Sequence, residues 1–332
     1  NNAPIPTRSG YEFLGWATSA SAHSVNYSAA GIYSTNAPVR LYAIWRKNLP
    51  FTFDANGATL SRSSSGCYIY NAETECELTL PTITRAGFTV HGFSRASNGT
   101  FNESGWISGG TVTVDEQTAT KWYAITSKDM ALTFDANGAT ISKVSESCTI
   151  RNSATTCNIV LPKITRSGFD VLGFATSATS TSAASGWTSE ATVSVNKDTT
   201  LSWYAITAKG VTVTFDANGA TIGSTSQSCT IRNNATTCSV TSPTITRSGF
   251  TVVGWNTSSG GTTSEWDTGK SKSFSGDAKY YAITNKGVTI TFNGNGATSG
   301  AASKSCSIWN TSTSCSITSP TITRDGYSIV GW

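Results

Sequence analysis

The eight residues "TFDANGAT" at 52–59 return at 133–140 and 214–221, and once more as "TFNGNGAT" at 291–298. The interval decides the architecture: Asp54, Asp135 and Asp216 stand 81 residues apart, and Asn293 follows 77 later. Other landmarks keep step. Cys67, Cys148, Cys229 and Cys306 recur at the same intervals, each followed nine residues on by Cys76, Cys157, Cys238 or Cys315. Arg8, Arg85, Arg166, Arg247 and Arg324 each sit in a Thr-Arg-x-Gly-aromatic phrase, and a Tyr-Ala-Ile phrase begins at Tyr42, Tyr123, Tyr204 and Tyr281. Solenoid repeats usually run about 20 to 50 residues, so a longer period predicts small domains, each with its own core. The expected division is a partial repeat 1–50, whole repeats 51–130, 131–210 and 211–287, and a partial repeat 288–332. Both ends fall in mid-repeat, which predicts three whole units and two fragments of a longer chain.

Ser and Thr make roughly a third of the chain, charged residues 13%, and the net charge is +4. Such a balance offers no basic stripe for nucleic acid and no long apolar run for membrane insertion. Aromatics at 10% and a period-2 apolar pattern supply core material that disordered Ser/Thr tracts lack. Each unit opens on alternation: Met130, Leu132, Phe134; Val211, Val213, Phe215; Val288, Ile290, Phe292. One face of such a strand is buried and the other wet. In "GFTVVGW", 249–255, Phe250 and Val252 point one way while Val253 and Trp255 point the other, which predicts a central strand. Helical periodicity is absent, and at most a short helical turn fits 176–190.

The cysteines pair by geometry. Folding "CTIRNSATTC", 148–157, as an antiparallel hairpin sets 148 opposite 157 and leaves Asn152-Ser153 as the loop. Asn tolerates positive φ, and Asn71, Asn233 and Asn310 take the same place in the other units. The outer pair is then a non-hydrogen-bonded one, where side chains approach most closely. Local disulfides Cys67–Cys76, Cys148–Cys157, Cys229–Cys238 and Cys306–Cys315 are expected, which places the chain outside the cytosol. Zinc would want four ligands at short spacings, and the only histidines, His23 and His91, do not recur.

Together "VTVTFDANGA" (211–220), "PTITRSGFTVVGW" (243–255) and "YAI" resemble the Listeria-Bacteroides repeat, related to the B-repeat of internalin-type surface proteins. The resemblance covers nearly the whole chain. It implies a β-rich α+β unit of β-grasp-like form, an extracellular bacterial setting, and a role as stalk or adhesive module. Two departures stand out. Ala58, Ala139, Ala220 and Ala297 follow Gly where the family usually has a second Gly, and the cysteine hairpin reads as an insertion.

Asp54, Asp135 and Asp216 do not continue into a calcium loop, because the twelfth places hold Ser65, Glu146 and Gln227; they read as turn formers. Lys47, Lys128, Lys209 and Lys286 recur past each Tyr-Ala-Ile, but no acid keeps a matching place to promote an isopeptide bond, so they read as junction residues. The recurrent Arg reads as a turn or junction residue too. His91 takes a position held by Leu14, Leu172, Val253 and Val330 and is expected to pack on the core. No catalytic set recurs, and neither enzyme activity nor a cofactor is expected. Tyr27, Trp106, Trp187 and Trp266 lie in the variable segments, where an aromatic either pins the loop or faces a glycan.

The sequence thus predicts a mainly β, rod-like tandem array with one disulfide-stapled hairpin per unit. Connections of three to five residues, such as Thr207 to Gly210, should hold neighbours in a repeated orientation. The functional expectation is an extracellular stalk, fibre or adhesin shaft whose partners are a host or neighbouring cell surface, with lateral self-association into fibres as a further possibility. The alternative is a glycan- or protein-binding array acting by avidity through its variable loops.

Overall fold

The computed structural model describes residues 5–34 and 36–332, so within the fragment 1–50 the first four residues and Thr35 lie outside the described residues. All regular structure among the described residues is β-strand. By packing, the chain divides into two compact units: Asn1–Thr133 with Ser145–Leu161 and Ala191–Ser202, and Phe134–Val144 with Pro162–Glu190 and Trp203–Trp332.

The first unit is organised on the long strands Tyr42–Asp54 and Lys121–Asp135. Tyr42–Asp54 pairs antiparallel with Glu12–Ala17 along its first half and with Ser64–Tyr70 along its second. Lys121–Asp135 repeats the arrangement with Thr89–Ser94 and Ser145–Arg151. The two long strands meet in parallel, Lys121 opposite Thr52 and Tyr123 opposite Asp54. A separate ladder, Glu75–Thr79 against Thr111–Asp115, forms the second layer. Between the layers lie Phe51, Phe53, Ile69 and Phe93 from the first and Leu78 and Val114 from the second, all buried. Fully burying a side chain of this kind stabilises the fold by roughly 1.5–3 kcal/mol, so the alternating apolar face dictates which way each strand turns.

The second unit uses the same plan. Ser202–Asp216 carries Asp170–Ala175 and Ser226–Arg232, and it runs parallel to Ala278–Thr291, with Val213 opposite Ala278 and Asp216 opposite Tyr281. Ala278–Thr291 carries Thr251–Asn256 and Ser303–Trp309. Cys238–Thr241 against Ser271–Phe274 closes the core over Val211, Val213, Phe215 and Trp255.

Four sequence expectations change. The boundaries at Pro50, Met130, Gly210 and Gly287 fall inside the long strands, so no loop separates one repeat from the next there. Each long strand spends its first half closing one repeat and its second half opening another. The cysteine segment turns at Asn152, but its strands part into different ladders: Ser145–Arg151 pairs with Lys121–Asp135, and Thr156–Val160 pairs with Thr192–Asn196. It is an arch between layers rather than a laddered hairpin. The strand of "GFTVVGW" lies at an edge, with its register shifted between Val252 and Gly254. That bulge moves the apolar residues out of simple alternation, which is why both faces looked buried. No helix forms over 176–190, and the α component of the expected β-rich α+β unit is absent among the described residues.

Candidate functional site

The recurrent phrases converge where one repeat meets the next. Take Arg85, at the end of "TITR". Its guanidinium stacks on Phe88, 3.6 Å from the ring centre, which holds the fork in one plane. Nη1 donates to the Thr126 hydroxyl at 2.9 Å and to the backbone carbonyl of Asn152, and Nη2 donates to the carbonyl of Ala154 at 2.9 Å. Thr126 belongs to the closing half of the long strand, and Asn152 and Ala154 form the cysteine arch of the following repeat. One side chain therefore ties both. Burial lowers the Arg85 pKa from its ordinary value, but a guanidinium stays charged at any physiological pH.

Asn152 completes the joint from the other side. Its φ of 51° is the left-handed conformation that the turn needs. Its backbone N–H donates to the Thr126 carbonyl at 2.9 Å, and its Oδ1 accepts the Thr126 N–H at 3.2 Å. Its Nδ2 donates to the carbonyls of Ser97 and Gly99, at 3.0 and 2.9 Å, in the variable segment of the preceding repeat. Gly57, from the first "DANG", packs so closely on this arch that an added Cβ would stand 2.7 Å from Ser153 Cα. Its φ of 87° excludes a larger residue for a second reason.

The same joint is rebuilt in the second unit. Arg166 bonds Thr207, Asn233 and Ala235, while Asn233 Nδ2 donates to Ala178 and Ser180. Arg247 bonds Thr284 and Asn310, and Asn310 Nδ2 donates to Ser259 and Gly261. Near the start, Arg8 reaches the Asn71 carbonyl, but Trp45 stands where the others have Thr, so the hydroxyl contact is missing.

The four predicted disulfides are present, with Cα–Cα distances of 5.8 to 6.0 Å. Each staples the arch just behind its Asn. Trp106 and Trp266 are buried, each only 5% exposed. Trp106 stacks on Trp122 and Trp187 on Trp203, and Trp266 meets Tyr280 edge to face. Their backbones also bond the edge strand, Phe93 N–H to Trp106 carbonyl and Trp255 N–H to Trp266 carbonyl, both at 2.8 Å. These aromatics pin the variable segment over the sheet edge, so the ligand-facing assignment falls for the two buried tryptophans. Half-buried Tyr27 packs against Tyr33.

Asp54, Asp135 and Asp216 each accept the N–H of the Asn two residues on, at 2.7 to 3.0 Å, which is turn chemistry. The Asn218 N–H, and then Lys279, hold the Asp216 carboxyl below its usual pKa. Lys128 donates to the Gly87 carbonyl, and Lys47 pairs with Glu116 at 2.7 Å. His91 is half-buried at the edge-strand bulge and bonds the Ser127 hydroxyl at 2.8 Å. What the sequence did not disclose is the partnership of Arg and Asn. The two recur at similar separations, 67 residues for Arg85 to Asn152 and Arg166 to Asn233 and 63 for Arg8 to Asn71 and Arg247 to Asn310, and that recurrence was the available signal.

The assembly is a tandem array of all-β, disulfide-stapled repeats. The sequence profile of the Listeria-Bacteroides repeat domain matches residues 1–44, 131–205, 212–283 and 289–332, and the chain belongs to that family. Residues 51–130 fall outside these stretches, although they carry the same phrases and the same strand plan. The family points to a bacterial surface repeat protein, and four disulfides fit an extracellular location. No curated protein and no solved structure matches the chain.

Proposed function

We propose that this chain is a length of shaft from a secreted bacterial surface protein, an extended stalk or fibre that carries attachment to a host or neighbouring cell and catalyses nothing. The observation that carries the reading is the repeated Arg–Asn joint, built on strands that run unbroken from one repeat into the next. A chain of binding modules needs only linkers, whereas a shaft needs its repeats held in fixed orientation. Burial of Trp106 and Trp266 supports the same choice, because it leaves them no open face for a sugar ring, while half-buried Trp187 gives one face to Trp203.

The test is to display the array on a cell surface with whole repeats added or removed, and to measure attachment. A shaft predicts that reach and attachment rise with repeat number while no single repeat is indispensable. Saturable sugar binding by the array, lost on substituting loop aromatics and independent of repeat number, would replace this reading with the glycan-binding one.

A further inference from the structure

The cysteine arch of residues 51–130 differs from its counterparts in charge. Tyr68 and Tyr70 precede its turn and Glu73, Glu75 and Glu77 follow it; with Thr113, and with His23 stacked on Tyr70, they line an open groove of about 650 Å³. Tyr68 is 41% exposed, and Arg46 already lies 4.8 Å over its ring, which is how a guanidinium is received on an aromatic face. Glu73 is engaged by His23 at 2.7 Å. Among the described residues Glu75 and Glu77 have no ion-pair partner.

The next two repeats present the same arch with the opposite sign. Where the first has Tyr70 they have Arg151 and Arg232, and where it has Glu75 and Glu77 they have Thr156, Asn158, Thr237 and Ser239. The imbalance extends beyond the arch: residues 51–130 hold eight carboxylates against five lysines and arginines, while 131–287 hold nine against twelve. One chain thus offers both an acidic aromatic face and its basic complement, built on the same backbone.

We propose that the acidic arch of residues 51–130 is the docking surface for a basic arch of a second copy of this chain, so that shafts associate side by side in a staggered register. This rests on the shaft reading and names the surface by which shafts would bundle. An Arg151 or Arg232 guanidinium of one copy would lie over the exposed face of Tyr68 and between Glu75 and Glu77 of another. A lone exposed pair of this kind is weak, but successive arches in one array contribute together. Charge of this sort chooses partner and register more than it supplies affinity.

Sedimentation velocity on the whole 332-residue chain tests it. Association should be seen at about 10 mM salt and vanish near 1 M, as the screening length falls from about 30 Å to about 3 Å. The double variant Glu75→Lys with Glu77→Lys should be monomeric, and so should Arg151→Glu with Arg232→Glu. Mixing the two variants should restore association, because each now supplies the face the other lacks. Arg232 also donates to the Thr181 carbonyl, so Arg151→Glu alone, at an exposed position, serves as a second variant and should weaken association at least several-fold. A wild-type chain that stays monomeric at low salt, or association that ignores both the salt and these substitutions, overturns the proposal while leaving the shaft reading intact. So does a groove that captures oligolysine or a glycan without any pairing of chains.

Discussion

Asn233 shows how much one side chain is asked to do. It adopts a φ of 51°, accepts the Thr207 N–H, and donates to two carbonyls of the preceding repeat while only 4% exposed. Three substitutions separate these tasks. Gly keeps the backbone conformation and loses the side-chain bonds; Ala loses the bonds and adds left-handed strain of roughly 1–2 kcal/mol. Asp tolerates the turn but brings an oxygen against the Ala178 and Ser180 carbonyls. Asn233→Gly should therefore be the mildest, at about 1–3 kcal/mol for the lost bonds, with Ala and Asp both worse, measured by urea unfolding. If all three cost the same, the side chain is not the tie. The turn role of Asn was legible in the sequence, because the backbone alone demands a residue that accepts positive φ. Its long-range bonds were not, since nothing in "IRNNATTC" says which neighbour's carbonyls lie within reach. Asp216 gives a pH test with a definite sign. Its folded pKa is depressed, so its contribution is complete above the unfolded value near 3.9 and is lost as pH falls through the folded one. Asp216→Asn should remove that part of the acid sensitivity, a small effect because the pair with Lys279 is half exposed.

At the scale of elements, the arch replaces the hairpin, and this changes what its disulfide does. A cross-strand bond in a hairpin supports strands that are already paired. Here Cys229 lies in the ladder with Ser202–Asp216 and Cys238 in the ladder with Ser271–Phe274, so the bond fastens two layers. The chain-entropy value for a loop this short is roughly 2–3 kcal/mol. Replacing Cys229 and Cys238 by Ser should lower stability by about that amount, and amide exchange should rise along the whole Cys238–Thr241 and Ser271–Phe274 ladder. Faster exchange confined to the turn at 232–235 would favour a simple hairpin staple. The local pairing could be read from the sequence because the turn at Asn233, midway between the two cysteines, brings them together in either geometry. The choice of ladder partners could not, because it is made by the core. Val240 is buried beside Val213, Phe215 and Phe274, and a two-strand hairpin has no second layer to bury it against. The edge strand teaches the same lesson from its bulge, since one unpaired residue at Val253 reverses an alternation pattern that assumes none.

For the whole molecule, the decisive feature is where the chain enters and leaves a repeat. In residues 211–287 it enters on Val211–Asp216 and leaves on Ala278–Tyr281, and these segments are parallel and adjacent, paired over four register positions of one hydrogen-bonded ladder. Opposed pulls on the two ends therefore slide one strand along the other and load those bonds together, rather than opening them one after another. The entry and exit strands of residues 51–130 meet the same way, Thr52 opposite Lys121 and Asp54 opposite Tyr123, with a Lys121–Asp54 ion pair beside them. The array should then unfold under axial force in discrete, repeat-sized steps. The disulfides make the prediction quantitative. While Cys229 and Cys238 are joined, the nine residues of separation between them cannot extend, and their Cα atoms stay 5.8 Å apart. Reduction frees that segment, which adds about 25 Å of contour per repeat at the usual reach of an extended chain. Single-molecule stretching of the array in oxidising and then reducing buffer should show a regular series of force peaks whose spacing grows by that increment. A featureless extension, or a spacing unaffected by reductant, would mean that the repeats do not bear load as separate stapled units, and the shaft reading would go with it.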